Sequence, residues 1–141
     1  MDHVPKNLVS GSNPTLDRQV FVLRADGTGT TQITDGDLNS NLPDISADGQ
    51  FVVFESLADL TGEKPMAFAN DPTIFWARSD GSALEQVLTD DRLDNPGAFS
   101  NTRLATKPEI SGDGSLIVFV SPLNYAAGAT GSQQKIYLIQ R

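Results

Sequence analysis

What most limits the fold of this chain is an internal repeat. Leu42-Pro43-Asp44-Ile45-Ser46-Ala47-Asp48-Gly49-Gln50-Phe51-Val52-Val53-Phe54-Glu55-Ser56 is answered by Lys107-Pro108-Glu109-Ile110-Ser111-Gly112-Asp113-Gly114-Ser115-Leu116-Ile117-Val118-Phe119-Val120-Ser121. Both read x-Pro-acid-Ile-Ser-x-Asp-Gly-x, then four apolar residues ending in Phe, then x-Ser. Agreement at so many positions in one register marks a repeated structural unit, which cannot bury its apolar face alone and must stack on its neighbours.

A second unit also recurs. Gln19-Val20-Phe21-Val22-Leu23-Arg24-Ala25-Asp26-Gly27 runs on to Gln32-Ile33-Thr34, and Thr73-Ile74-Phe75-Trp76-Ala77-Arg78-Ser79-Asp80-Gly81 runs on to Val87-Leu88-Thr89. Lys135-Ile136-Tyr137-Leu138-Ile139-Gln140-Arg141 is a third copy without its Asp-Gly. Short runs rich in Val, Ile, Phe and Tyr are strand material. Asp-Gly between two such runs signals a hairpin, because Gly supplies the positive φ of a tight turn. Pro43 and Pro108 are expected at the start of their strands, where a missing N–H costs no ladder bond.

The expected order is strand A (43–46), Asp-Gly, strand B (50–56), long loop, strand C (73–79), Asp-Gly, strand D (84–89), long loop. A strand B from Asn7 to Ser10 is expected to precede the first C. Helix formers in Ala83–Leu88 and Ser56–Lys64 are too short and too closely flanked by turn residues to overturn an all-β reading. Four antiparallel strands repeated along a chain are the β-propeller pattern. About two and a half to three blades are expected: a partial blade over 1–34, a complete one over 35–89, and one lacking its last strand over 90–141.

The motifs resemble the TolB-type, WD-like propeller repeats of bacterial proteins. There, a strand pair Pro-x-x-Ser-x-Asp-Gly-x-x-(apolar)-Phe-x-Ser precedes a strand pair Ile-Tyr/Phe-x-x-x-x-Asp-Gly ending in Leu-Thr. The resemblance covers about Asn7 to Arg141 and is specific for the repeat rather than for an activity. It implies a bacterial, periplasmic or extracellular setting, often within a larger protein. A closed propeller has about four to eight blades, so the resemblance implies either a piece of a longer ring or a homodimer that completes one.

The formal charge of −8, from 18 acids against 10 bases, argues against nucleic acid and anionic membranes, both of which need a basic surface. A cation, a basic partner or a neutral ligand fits better. There is no cysteine, hence no disulfide or thiolate metal site. The start Met1-Asp2-His3-Val4-Pro5-Lys6 holds no apolar run of the kind a signal peptide needs, and Leu116–Val120 is far too short to span a membrane.

Function is expected on the face carrying the long segments 35–42, 57–72, 90–106 and 121–134, opposite the Asp-Gly turns. Asp35, Asp37, Asn39 and Asn41 place oxygen side chains at alternate positions, like the opening of a calcium loop; Ser40 stands where that loop needs Gly, and Ser46 where it needs Glu. Asp91, Asp94, Asn95, Arg103, Phe68 and Tyr125 are the remaining candidates for a ligand or partner face. Trp76 reads as packing. His3 is the sole histidine and no Gly-x-Ser-x-Gly occurs, so neither a Ser-His-Asp triad nor a histidine metal site can be assembled. The sequence therefore points to a non-catalytic recognition module without cofactor, calcium excepted. The alternative is the gating propeller of a prolyl-oligopeptidase-type serine peptidase, its hydrolase domain lying elsewhere.

Overall fold

The computed structural model describes residues 16–63, 71–88, 105–123 and 133–141. Among them are β1 (Phe21–Leu23), β2 (Thr30–Gln32), β3 (Ser40–Ile45), β4 (Phe51–Ser56), β5 (Thr73–Arg78), β6 (Leu84–Gln86), β7 (Thr106–Ile110), β8 (Leu116–Ser121) and β9 (Lys135–Gln140). They form three antiparallel sheets, ordered β1-β2, β3-β4-β5-β6 and β7-β8-β9. The protein is all-β, and the sheets stack as successive blades. The strand B expected at Asn7–Ser10 lies outside the described residues.

Side-chain alternation explains the stacking. In the middle blade, Val52 and Phe54 stand opposite Ala77 and Phe75, and all four pack with Val20 of the first blade. The intervening Val53, opposite Trp76, packs with Ile74 against Ala105, Ile117 and Phe119 of the third. A strand buried on both faces cannot show the polar-apolar alternation of a half-solvated one, which is why Phe51–Phe54 and Ile74–Ala77 read as unbroken apolar runs. Phe54 and Phe75 are fully buried and stacked at 5.8 Å. Burial of such a side chain stabilises by roughly 1.5–3 kcal/mol.

The end blades expose one face each. On β9 exposure alternates, with Ile136 77% and Leu138 63% exposed while Tyr137 and Ile139 turn toward the core. On β1, Leu23 is 58% exposed. Ile136 and Leu138 are the repeat counterparts of Ile74 and Trp76, which the third blade covers.

Each motif residue has a mechanical role. Ser46 Oγ donates to Asp48 Oδ1 at 2.6 Å and accepts from Phe51 N at 3.0 Å, and Asp48 Oδ1 also accepts from Gln50 N. Ser111, Asp113, Ser115 and Leu116 reproduce this arrangement in the third blade. The Ser-x-Asp-Gly signature thus staples the A–B hairpin from inside. At the far end of strand B, Ser56 and Ser121 Oγ accept from Ala58 N and Leu123 N, closing the exit from the strand.

Two expectations are corrected. Strand A of the middle blade begins at Ser40, so Pro43 and Pro108 lie within β3 and β7, not at their starts. Both strands shift register there, between Asn41 and Asp44 and between Thr106 and Glu109. A bulge removes the ladder bond that proline could not make. The D strands also align one residue from the sequence match. Phe21 faces Gln32 and Phe75 faces Gln86, and Ile33 N and Val87 N donate to the equivalent Val20 O and Ile74 O. Thr34 therefore corresponds to Leu88, not to Thr89; the hydrogen-bonding register outranks the shared threonine.

Candidate functional site

The two ends of the blades differ chemically. At one end, Gly27, Gly49, Gly81 and Gly114 take φ of 74°, 70°, 78° and 74°, the left-handed region that their turns require. The aspartates before them are capped by neighbouring hydroxyl and amide donors. Hydrogen bonds from Ser111 and Ser115 bring Asp113 down to about 2. Asp26, Asp48 and Asp80 are held below the usual carboxylate value, chiefly by the side chains of Thr28, Ser46 and Ser82. Carboxylates occupied in this way are structural.

The opposite end carries the long connections and a polar rim between blades. Arg18 N donates to Asn39 Oδ1 at 2.8 Å, and Arg18 Nη1 donates to Asn41 Oδ1 at 3.2 Å. Gln19 Nε2 donates to Gly36 O at 2.8 Å. Between the second and third blades, Thr106 Oγ1 donates to the buried carboxylate of Glu55 at 2.5 Å. Thr106 is the repeat counterpart of Asn41, so the same inner-strand position reaches back to the preceding blade in both cases. Further along the inner edge, Ile110 N of β7 donates to Asp44 Oδ2 of β3 at 2.8 Å. Glu55 does not stand out in the sequence as more than a polar strand residue, and Asp44 stands out only as the acid of the repeat. A charge directly after the apolar run Phe51–Phe54 was the one available signal for Glu55.

On this rim the inner strands repeat one strained feature. Leu42 and Lys107 adopt φ of 50° and 54°, left-handed values that cost a non-glycine residue on the order of 1–3 kcal/mol. Each precedes the bulge proline, and both side chains are exposed.

Of the sequence candidates, Asp35, Asp37, Asn39 and Asn41 lie together in the approach to β3. Asp35 and Asp37 are exposed, while the Oδ1 atoms of Asn39 and Asn41 are engaged by Arg18. No cluster of three or more His, Asp or Glu suited to a metal occurs among the described residues. Asp91, Asp94, Asn95, Arg103, Phe68 and Tyr125 lie outside the described residues. Trp76 is 5% exposed, stacked on Phe51 at 5.4 Å, with the Arg141 guanidinium 3.4 Å from its ring centre. Its role is packing, at an interface between blades.

Stacked antiparallel sheets of two, four and three strands among the described residues, with tight Asp-Gly turns at one end, have the architecture of β-propeller blades. No protein-family model matches the chain, and no curated protein matches it. Among solved structures it is similar to one assigned as a TolB of Agrobacterium tumefaciens, at 22% identity and a TM-score of 0.52, covering 86% of this chain and 37% of that one. It is also similar to TolB from Acinetobacter baumannii, at 14% identity and a TM-score of 0.52, covering 92% of this chain and 26% of that one. The fold is that of a partial TolB-type β-propeller, and the chain spans well under half the length of either structure.

Proposed function

We propose that this chain is a non-catalytic propeller module that recognises a protein or a small ligand through its long-loop face, within a larger bacterial protein of the periplasm or cell exterior. The observation that carries this reading is the recurrence of a left-handed, non-glycine bulge on successive inner strands, at Leu42 and Lys107. Strain held at the same position in two blades, with the side chain presented to solvent, is characteristic of a surface shaped for contact. The polar rim of Arg18, Asn39 and Asn41 beside it supplies directional hydrogen bonding. The likeness to two TolB structures supports the bacterial, extracytoplasmic setting.

A photo-crosslinking side chain at position 42 or 107, compared with one at 47 or 82 on the Asp-Gly end, tests this reading in the native host. Discrete crosslinked species confined to 42 and 107 are expected. Equal labelling from both ends, or none from either, would overturn the reading.

A further inference from the structure

The chain holds five Asp-Gly pairs and no Asn-Gly, and the structure treats one of the five differently. An aspartate followed by glycine is open to attack by its own backbone. The glycine main-chain nitrogen bonds to the aspartate Cγ, the carboxyl C–O bond breaks, and water leaves with the amide proton. The five-membered succinimide then takes up water. Opening at the Cα-side carbonyl leaves the chain running through the former side chain, an isoaspartate of unchanged mass. The reaction needs a free amide nitrogen, a neutral carboxyl group and little bulk on the following residue.

In four of the pairs the first two requirements are blocked. Gly27, Gly49, Gly81 and Gly114 N donate to Arg24, Ser46, Arg78 and Ser111 O at 2.9, 2.8, 2.9 and 2.9 Å. The Oδ1 atoms of Asp26, Asp48, Asp80 and Asp113 accept from the amides of Thr28, Gln50, Ser82 and Ser115, which holds each carboxylate to the turn. These bonds and those from neighbouring hydroxyls also keep the four groups ionised to lower pH than usual.

Asp35-Gly36 has neither protection. Among the described residues, the exposed Asp35 carboxylate has no hydrogen-bond donor and Gly36 N has no acceptor. Gly36 takes no positive φ; packing excludes its side chain instead, since a Cβ there would lie 2.6 Å from Ala58 Cβ and 2.9 Å from Leu60 Cδ2. The residue that hinders the attack least is therefore required by the fold. Gln19 spans the pair: its Oε1 accepts from Thr34 Oγ1 at 2.6 Å and its Nε2 donates to Gly36 O at 2.8 Å. Thr34 Oγ1 in turn accepts from Val20 N at 2.9 Å. An isoaspartate at position 35 adds one carbon to the main chain inside this clamp, so both Gln19 bonds cannot keep their lengths.

We propose that Asp35 is the site at which this protein isomerises to isoaspartate, and that the change releases the Gln19 clamp where the chain passes from the first blade to the second. The product carries a free α-carboxyl group, the chemistry recognised by methyl-transferring enzymes that act on isoaspartate.

The test ages the full protein in neutral buffer. An isoaspartate-specific carboxyl methyltransferase with a labelled methyl donor measures the product, and peptide mapping locates it, because isoaspartate resists a protease that cleaves before aspartate. Label is expected in the peptide holding Asp35, accumulating on the order of tenfold faster than at any of the four turns, where hydrogen bonds must open first. In denaturant the five sites should converge, since glycine follows each. Asp35→Asn should accelerate isoaspartate formation at this position, ammonia leaving in place of water, and Asp35→Glu should abolish the label there. The isomerised protein, separated by ion exchange, should melt below the unmodified form. Label spread evenly over the five pairs, label absent from position 35, or a preference for it that persists in denaturant would overturn the site assignment. An unchanged melting temperature would overturn the release of the clamp.

Discussion

Asp113 Oδ1 accepts from Ser111 Oγ, Ser115 N and Ser115 Oγ at 2.6, 3.0 and 2.8 Å, and these bonds favour its ionised form. Its native pKa of about 2 lies below the ordinary 3.8. A depressed carboxylate contributes stability that is complete above the unfolded value and is lost as pH falls through the native one. Asp26, Asp48 and Asp80 are shifted in the same direction. The melting temperature should therefore fall between about pH 4 and pH 2, and Asp113→Asn should flatten that fall, as read by thermal denaturation across this range. Glu55 gives a second test. Thr106→Val removes the donor facing a buried carboxylate and should cost about 1–3 kcal/mol. Adding Glu55→Val, the residue type found at the counterpart Val120, should restore much of it; denaturant titration of the double-mutant cycle measures the coupling.

Within each blade, equivalent positions differ in what covers them, so the repeat provides its own controls. Ile74 is fully buried between blades, and its counterpart Ile136 is 77% exposed. Ile74→Ala should destabilise by roughly 2–5 kcal/mol and Ile136→Ala by about 0.5 kcal/mol or less, both from chemical denaturation. The hairpin glycines divide similarly. Gly49 and Gly114 share a positive φ, but a Cβ at Gly49 meets open space, whereas one at Gly114 would lie 2.3 Å from the Phe51 ring. Gly114→Ala should lower the melting temperature clearly more than Gly49→Ala, because it adds a clash between blades to the same backbone strain.

At the scale of the molecule, the end faces dominate. Phe21 and Leu23 on one side, and Ile136 and Leu138 on the other, occupy positions that are buried between blades in the middle of the stack. Open apolar sheet faces promote association. For this 141-residue stretch taken by itself, the solution mass should rise above 15.1 kDa with concentration, and Ile136→Lys with Leu138→Lys should return it toward the monomer; light scattering distinguishes the two. A discrete dimer would fit a ring completed by a second copy. Calcium addresses the remaining sequence candidate. An ion held by Asp35, Asp37, Asn39 and Asn41 competes with the Arg18 main-chain N–H for Asn39 Oδ1 and with the Arg18 guanidinium for Asn41 Oδ1, and only the second contact is removed by Arg18→Ala. A melting shift in millimolar calcium, enlarged by Arg18→Ala, would establish the loop as a metal site. Unchanged curves would leave the asparagines their part in holding Arg18.

Local chemistry repeated along the chain determined the architecture. The apolar runs, the Asp-Gly turns and the Ser-x-Asp staple depend on neighbours a few residues away, so strands, hairpins and their order could be read from residues alone. Tertiary structure decided what depends on partners distant in sequence. The bulges at Pro43 and Pro108 and the register of the D strands follow from cross-strand bonding, which no single run of sequence displays. Glu55 became an interblade contact only because stacking carried Thr106 to it. Sequence sets which backbone conformations are cheap over a few residues; contact between distant segments sets which polar atoms are satisfied, and so where a site can form.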